Sequence, residues 1–242
     1  MSWWILGVAV FAAWTIDAAI GFGSLVIALA IGALVLPLDV IMPVLVPLNI
    51  ILSGYLTVRY RTQIQWPLLL KKLLPLMLLG ALVGLLTRDF FNAQTLRLLF
   101  GSVVVWFAAR SLWCAFNRTA RARAHRGWVT SLLTFFAGIT HGLFASGGPL
   151  LVYALTGVQL SKQHFRATLS LVWFALNSSL TLWYVLNGSA FTHANKTLLF
   201  IPLVGAAIVF GEWLHHRISE DVFRKGVLIL LLVAGVLLLG QL

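Results

Sequence analysis

The sequence predicts an all-α polytopic membrane protein made of two inverted repeats, and three observations support this. The 242 residues are 61% hydrophobic and only 10% charged, with a mean hydropathy of +0.99, which is far from the composition of a soluble domain. Long apolar runs follow one another along the chain, and two of them contain a glycine break. Basic residues are concentrated between the runs. We expect roughly 8–10 membrane segments in a single transmembrane domain that covers residues 1–242.

Six of the apolar runs have about the length of one membrane-spanning helix, which is roughly 20 residues. They cover residues 40–58, 73–86, 96–116, 168–186, 197–214 and 222–242. Two further runs, 3–36 and 128–160, are too long for one straight helix and contain the glycine breaks. We interpret each of these two as a broken segment, either a re-entrant hairpin or a pair of short helices. Each half of the chain then has one broken segment and about three spanning helices.

The net charge of +11 would suggest nucleic-acid binding in a soluble protein, but the basic residues here lie in short loops between apolar runs. Such residues determine orientation, because loops rich in Lys and Arg stay on the cytoplasmic side. The densest cluster consists of Arg110, Arg118, Arg121, Arg123 and Arg126. We therefore predict that the connection 118–126 is cytoplasmic and that nucleic acid is not a partner.

A cytoplasmic connection also orients the other loops. Counting single crossings backward, the basic loop with Arg59, Arg61, Lys71 and Lys72 falls inside, and the loop with Arg88, Asp89 and Arg97 falls outside, as the positive-inside rule prefers. In the second half, the basic residues fall inside only if the run 128–160 crosses an even number of times. These residues are Lys162, Arg166, Arg217, Arg224 and Lys225. Each half then crosses an odd number of times, so the halves are inverted relative to each other and the N-terminus lies outside.

Residues of the same type recur at a nearly constant offset, which favours an internal duplication. The offset is 127 positions for Pro75 and Pro202, Gly84 and Gly211, and Arg97 and Arg224, and it is 128 positions for Asn49 and Asn177. We predict a first repeat over residues 1–117 and a second over 127–242, joined by the connection 118–126.

The two glycine breaks are the candidate binding site. The first consists of Gly21, Phe22, Gly23 and Ser24, and the second of Ser146, Gly147, Gly148 and Pro149. A helix can break at membrane depth only where its free backbone groups are buried in protein or face a watery cavity. Helix N-termini beside a break present unpaired N–H groups with partial positive charge, so two converging breaks would bind a small anion.

Small residues can also serve only to bring helices together. For the first and second breaks this interpretation remains an alternative to anion binding. For the glycines inside continuous runs it is the preferred one, and these are Gly32, Gly80, Gly84, Gly205 and Gly211.

Four polar residues inside apolar runs extend the candidate site. Asp17 is costly in lipid, so it either faces a cavity, where it would carry a coupling proton, or lies near the outer surface as a helix-terminal acid. His141 precedes the second break and would bind the anion or relay a proton, unless it is a structural histidine. Asn49 and Asn177 occupy matching positions after each break, where their amides either line the cavity or join two helices.

Several functional classes find no support in the sequence. Cys114 is the only cysteine, so a disulfide or thiolate cluster within the chain is excluded. Neither a GxxxxGK[ST] phosphate loop nor an HExxH zinc motif is present. We expect no metal, no cofactor and no enzymatic activity, and a driving force from an ion gradient, the substrate gradient or the membrane potential.

The order of motifs resembles the TauE/SafE sulfite-exporter family of membrane permeases. The resemblance lies in the break within 17–32, the connection at Pro37, the second break GITHGLFASGGPLLVY at 138–153, and Gly157 followed by HFRATLSLVWF at 164–174. The first break departs from the glycine-richer family pattern, with Phe22 and Ser24 among its glycines. The resemblance implies a bacterial or archaeal inner-membrane permease for small sulfur anions such as sulfite and organosulfonates, commonly moved outward. Its central site would be formed by Gly21, Gly23, Ser24, Ser146, Gly147 and Gly148.

Our leading hypothesis is a secondary transporter that binds a small anion between the breaks, with access alternating as the two halves rearrange. An anion channel using the same glycine ends is the first alternative. An intramembrane enzyme using Asp17 and His141 is a weaker one, because such enzymes need two or more convergent catalytic groups. An assembly subunit is a further possibility, and a homodimer within the lipid bilayer is compatible with the sequence.

Overall fold

A computed structural model describes residues 2–116, 126–155, 158, 160–215 and 220–240 of the chain. Most of the predicted basic connection 118–126 lies outside these residues, as do Gly157 and Arg217. The side chains of Lys162, Arg224 and Lys225 lie outside them as well.

The described residues fold entirely into helices and the turns between them. The helices are α1 (Ser2–Ile20), α2 (Ser24–Gly32), α3 (Leu38–Arg59), α4 (Trp66–Leu68), α5 (Leu74–Thr87), α6 (Ala93–Phe116), α7 (Gly127–Phe144), α8 (Gly148–Ala154), α9 (Lys162–Leu186), α10 (Ser189–Thr192), α11 (Ala194–His215) and α12 (Glu220–Gly240). A π-helical turn, Leu69–Leu73, joins α4 to α5, and short 3-10 turns follow α3 and α5.

Seven of the described helical stretches are long and apolar enough to cross a membrane. They are Ser2–Ala19, Leu38–Arg59, Trp66–Phe90, Ala93–Cys114, Gly127–Phe144, Gln163–Leu186 and Ala194–Leu214. This confirms the prediction of an all-helical, multi-pass membrane protein. Among these stretches α3 is the most buried within the protein and α11 is among the least, so α3 lies at the centre of the fold.

The two over-long apolar runs each contain a long helix followed by a short one. α1 ends at Ile20 and α2 begins at Ser24, and Gly21 and Gly23 between them have φ angles of 99° and 112°. Glycine adopts these left-handed angles without the steric cost that a Cβ atom brings. The chain therefore leaves one helix and starts another within three residues.

The second break uses a different local structure. α7 ends at Phe144, and Ala145 takes a left-handed φ of 51° while its N–H donates to the carbonyl of His141 at 2.7 Å, which is a common way to end a helix. α8 then begins at Gly148, with Pro149 in its first turn, where the missing N–H of proline costs no intrahelical bond.

The most extensive helix contacts join the two halves of the chain. α5 packs on α7, α1 on α11, α3 on α9 and α6 on α12, so each of these pairs takes one helix from each half. The α5–α7 pair is the closest, because Gly80 and Gly84 on one helix meet Gly138 and Gly142 on the other. Glycines four residues apart let two backbones approach directly.

The packing prediction for the glycines can be tested at Gly80. A Cβ atom there would overlap the carbonyl oxygen of Phe135, a backbone atom that cannot move without shifting α7. We expect Gly80→Ala to lower the free energy of unfolding by about 1–3 kcal/mol, measured by thermal unfolding of the purified protein in detergent. Gly205→Ala is the matched control, because a Cβ atom at Gly205 would meet nothing within 4 Å. Equal stability of the two variants would contradict the close packing of α5 on α7.

Candidate functional site

A chain of hydrogen bonds between buried side chains crosses the centre of the protein. The amide nitrogen of Asn177 donates to the Oδ1 atom of Asn49 at 2.6 Å, and the amide nitrogen of Asn49 donates to the Oγ atom of Ser24 at 2.7 Å. The Ser24 hydroxyl donates to the Oδ2 atom of Asp17, which also accepts the backbone N–H of Ser24 at 3.1 Å. The chain thus ties α9, α3, α2 and α1 together.

The carboxylate of Asp17 determines the direction of every bond in this chain. An ionised carboxylate only accepts, so the single hydroxyl proton of Ser24 points to Asp17 and the Ser24 oxygen accepts from Asn49. The Asn49 amide oxygen is then free to accept from Asn177. Each side-chain amide nitrogen carries two protons. Asn49 and Asn177 therefore each retain a second N–H that takes no part in these hydrogen bonds.

A small cavity of about 20 Å³ lies beside the hydrogen-bonded chain. It is lined by Asp17, Gly23, Ser24, Leu25, Val26, Asn49, Ala145, Ser146, Gly147, Gly148, Trp173 and Asn177. The breaks after α1 and after α7 therefore face the same cavity. Its volume is enough for about one water molecule.

Two polar atoms at this cavity are buried and have no hydrogen-bond partner among the described residues. They are the Oγ atom of Ser146 and the Oδ1 atom of Asn177. Buried polar groups are nearly always paired, and an unpaired one costs about 1–3 kcal/mol. Both atoms are therefore available to a water molecule or a ligand in the cavity.

Eight of the eleven residues predicted for the site line this cavity. They are Asp17, Gly23, Ser24, Asn49, Ser146, Gly147, Gly148 and Asn177. Asp17 is only 4% exposed, so the structure favours the cavity interpretation of this residue over the surface one.

The other three predicted residues lie next to the cavity but do not line it. Gly21 lies directly against the side chain of Arg166, which occupies the space a Cβ atom would need. Phe22 is partly buried and packs on the main apolar cluster. The ring of His141 is behind Trp173, with the two ring centroids 6.1 Å apart and the ring planes 21° apart. Sequence order places these three beside the breaks, but their surroundings depend on neighbours distant in sequence, such as Arg166 and Trp173 of α9.

Sequence reasoning missed two residues of the site. Trp173 forms one wall of the cavity. Arg166 donates from its Nη2 atom to the carbonyl of Ala18 at 2.6 Å, near the C-terminal end of α1, where a cation is favourable. Both residues belong to the HFRATLSLVWF stretch, and Arg166 was counted only as a charge that orients a loop. The signal that could have revealed the contact of Arg166 with α1 is its position one turn inside a spanning helix, where a basic residue needs a partner within the protein.

A second, wider cavity of about 570 Å³ lies at one end of the helices. It is found where α3 and α6 begin and where α5 and α9 end, and its charged lining residues are Asp39, Arg88, Asp89 and Arg97. The charge distribution in the sequence predicts that this end faces outward.

Spanning helices with a buried polar site, formed where two short helices begin, define a multi-pass membrane transporter. Comparison with known proteins agrees with this class. The sequence profile of the family described as Sulfite exporter TauE/SafE matches residues 5–238, and the chain belongs to this family. The recognition made from the motifs is confirmed.

A curated relative is 25% identical to the chain over 176 residues, which is 72% of each protein. It is the "Probable inner membrane transporter protein TsaS" of Comamonas testosteroni. No solved structure matches the chain.

The hydrogen-bonded chain can be tested at Asn49. Replacement by Ala leaves the Ser24 oxygen and the Asn177 amide without their partner in a buried site, so we expect Asn49→Ala to lower the free energy of unfolding by about 1–3 kcal/mol. Ser53→Ala is the control, because the Ser53 hydroxyl is also buried but bonds only to backbone carbonyls of its own helix, those of Asn49 at 2.7 Å and Ile50 at 3.5 Å. Thermal unfolding in detergent measures both. A larger loss of stability from Ser53→Ala than from Asn49→Ala would contradict the hydrogen-bonded chain of side chains.

Proposed function

We propose that the protein is a secondary transporter of small sulfur-containing anions such as sulfite or organosulfonates, and that it exports them. The anion binds in the cavity between the two breaks. The observation that carries this proposal is the convergence of unused hydrogen-bond donors from both halves of the chain on one buried cavity. Membership of the sulfite-exporter family supports the choice of anion, and the inner-membrane relative supports a location in the cell membrane.

The donors at the cavity suit an oxyanion. The Ser146 hydroxyl and the second N–H groups of Asn49 and Asn177 are neutral donors from three different helices or loops. The first-turn N–H groups of α2 add backbone donors with the partial positive charge of a helix N-terminus. The groups that line the cavity carry no positive charge, and the nearby cation, Arg166, is engaged by the carbonyl of Ala18 beside the first break.

Asp17 has a second role in this proposal, as the site of a coupling proton. A carboxylate and a bound anion repel each other strongly in a medium of low dielectric constant. Protonation of Asp17 removes this repulsion, so the anion and the proton bind together. Movement of the two together would link anion flux to the proton gradient.

The proposal includes an inverted duplication, with repeats over residues 1–117 and 127–242 and the N-terminus outside. The pairing of helices supports it, because α1 packs on α11 as α7 packs on α5, and these are corresponding helices at an offset near 127. The contact of Asn49 with Asn177 supports it too, since two corresponding residues meet at the centre. Basic residues at the opposite end from the wide cavity support a cytoplasmic location for that end, as in the bond from Lys72 to the carbonyl of Gly127.

The size of the central cavity favours a transporter over a channel. A cavity with room for about one water is not a continuous pathway, so an anion passes only if the protein changes conformation. Saturable flux that is stimulated by anion on the opposite side would support alternation, whereas large single-channel currents would contradict it.

The first experiment measures uptake and efflux of labelled sulfite and sulfoacetate in proteoliposomes, with Gly148→Leu as the site variant. A Cβ atom at Gly148 would lie 3.8–4.0 Å from Trp173 and Val26, two cavity-lining residues, so a side chain can leave Gly148 without a backbone clash. A leucine side chain is larger than the cavity of about 20 Å³ and blocks it. We expect saturable flux to fall at least about tenfold. Gly205→Leu is the matched control, because Gly205 faces open space and should retain full flux. Equal flux in Gly148→Leu and wild type would contradict the site, and no flux of either anion through folded wild type would contradict the substrate.

Coupling is tested separately with Asp17→Asn. Asparagine retains the size of the side chain and an oxygen that accepts from Ser24, but it has no charge to neutralise. We expect sulfite flux in this variant to become independent of an imposed pH gradient, while exchange of internal for external sulfite continues. A variant that still responds to the gradient as wild type does would show that the coupling proton binds elsewhere.

A further inference from the structure

The central cavity must widen to hold the proposed substrate. Its volume of about 20 Å³ corresponds to about one water molecule. Sulfite has three oxygens around sulfur, and every sulfonate is larger. At least one wall of the cavity therefore moves when an anion binds.

Four of the cavity-lining residues are held in place. Ser24, Asn49 and Asn177 are fixed by the buried hydrogen-bonded chain. Gly147 has no room to retreat, because a Cβ atom there would already overlap the carbonyl oxygen of Ala137. Backbone contacts of this kind do not compress.

The wall formed by Trp173 is held differently. The edge of its indole ring faces Gly148 and would meet an added Cβ atom only at ordinary van der Waals distances of 3.8 and 4.0 Å. Its other side stacks on the imidazole of His141. Contacts of this kind are individually weak. Among these lining residues, Trp173 therefore moves at the lowest cost in free energy.

The His141 side chain, on which Trp173 stacks, borders open space on its own far side. An apolar crevice of about 280 Å³ lies between α5, α7 and α9, and His141 is part of its lining. Leu82, Leu182 and Leu186 line the same crevice and are 51%, 58% and 75% exposed, so it opens toward the lipid. An indole that leaves the central cavity on this side moves against a side chain, His141, which itself borders this crevice.

His141 has unused hydrogen-bonding capacity on this side. Both of its ring nitrogens are buried without a partner among the described residues, and the residue is 1% exposed. A buried imidazole with two unpaired nitrogens is costly. Movement of Trp173 removes the ring that separates His141 from the anion cavity.

We propose that Trp173 is the wall that sets the largest anion the site accepts, and that His141 binds the anion once this wall has moved. The inference rests on the proposed function and adds the residues that determine substrate size. Trimming the indole joins the central cavity to the space beside His141. Bulky sulfonates then gain access that the wild-type indole denies them.

The test measures saturable flux of sulfite, methanesulfonate, sulfoacetate and benzenesulfonate in proteoliposomes for wild type, Trp173→Phe and Trp173→Ala. We expect the ratio of benzenesulfonate flux to sulfite flux to rise at least about tenfold in Trp173→Ala, within the range that pocket shape can discriminate, and to rise less in Trp173→Phe. Trp113→Ala is the matched control, because Trp113 on α6 is 68% exposed and should leave the ratio unchanged. His141→Phe retains the ring but removes its nitrogens, so it should raise the KM for sulfite at least about fivefold.

The outcomes separate this inference from the function on which it rests. An unchanged flux ratio in both Trp173 variants, with saturable sulfite flux in wild type, overturns the role of Trp173 and leaves the proposed function intact. If Trp173→Ala fails to fold, the ratio in Trp173→Phe decides. An unchanged KM in His141→Phe overturns the role of His141. Absence of saturable sulfonate or sulfite flux in wild type contradicts the proposed function and this inference together.

Discussion

The two hydrogen bonds from Ser24 to the carboxylate of Asp17 are the interaction on which the central architecture depends. A carboxylate inside a membrane protein needs partners, and a helix N-terminus needs acceptors for its first N–H groups. Each supplies what the other lacks, so the end of α1 and the start of α2 are held together across Gly21 and Gly23. Asn49 and Asn177 continue the same network into α3 and α9. Without Asp17 the break would leave unpaired donors at a depth where water does not compensate them.

The site combines a rigid part with a part that can change. Hydrogen bonds in a medium of low dielectric constant are strong and directional, and they position the amides of Asn49 and Asn177 beside the second break. Ser146 and His141 have no hydrogen-bond partner among the described residues of the same region. A site with full internal pairing would have no group left for a ligand, and one with no internal pairing would not keep its groups in place.

Much of this arrangement could be predicted from the sequence, because its signals are local. The glycines of the first break and the Gly-Gly-Pro of the second interrupt runs that are otherwise helical, and Asp17 and Asn49 are conspicuous in apolar surroundings. What could not be predicted depends on the direction of side chains across helix interfaces. His141 is predicted at the cavity, but its ring lies against Trp173 of α9, and Trp173 is the residue that lines the cavity. From the sequence, Arg166 is only an orienting loop charge and Trp173 only a member of a spanning run, since nothing in their spacing shows that α9 passes directly beside the first break.

The glycine contacts between α5 and α7 also limit how the molecule can move. Carbonyl groups of each helix lie against glycines of the other, so the two cannot slide or tilt apart without losing contact along their whole interface. Gly211 against the carbonyl of Thr15 joins α11 to α1 in the same manner. Each of these two tightly packed pairs, α5 with α7 and α1 with α11, takes one helix from the N-terminal half and one from the C-terminal half. If parts of the protein rock against each other, each helix pair moves as one rigid unit. The boundary between moving units therefore does not coincide with the boundary between the two halves of the sequence.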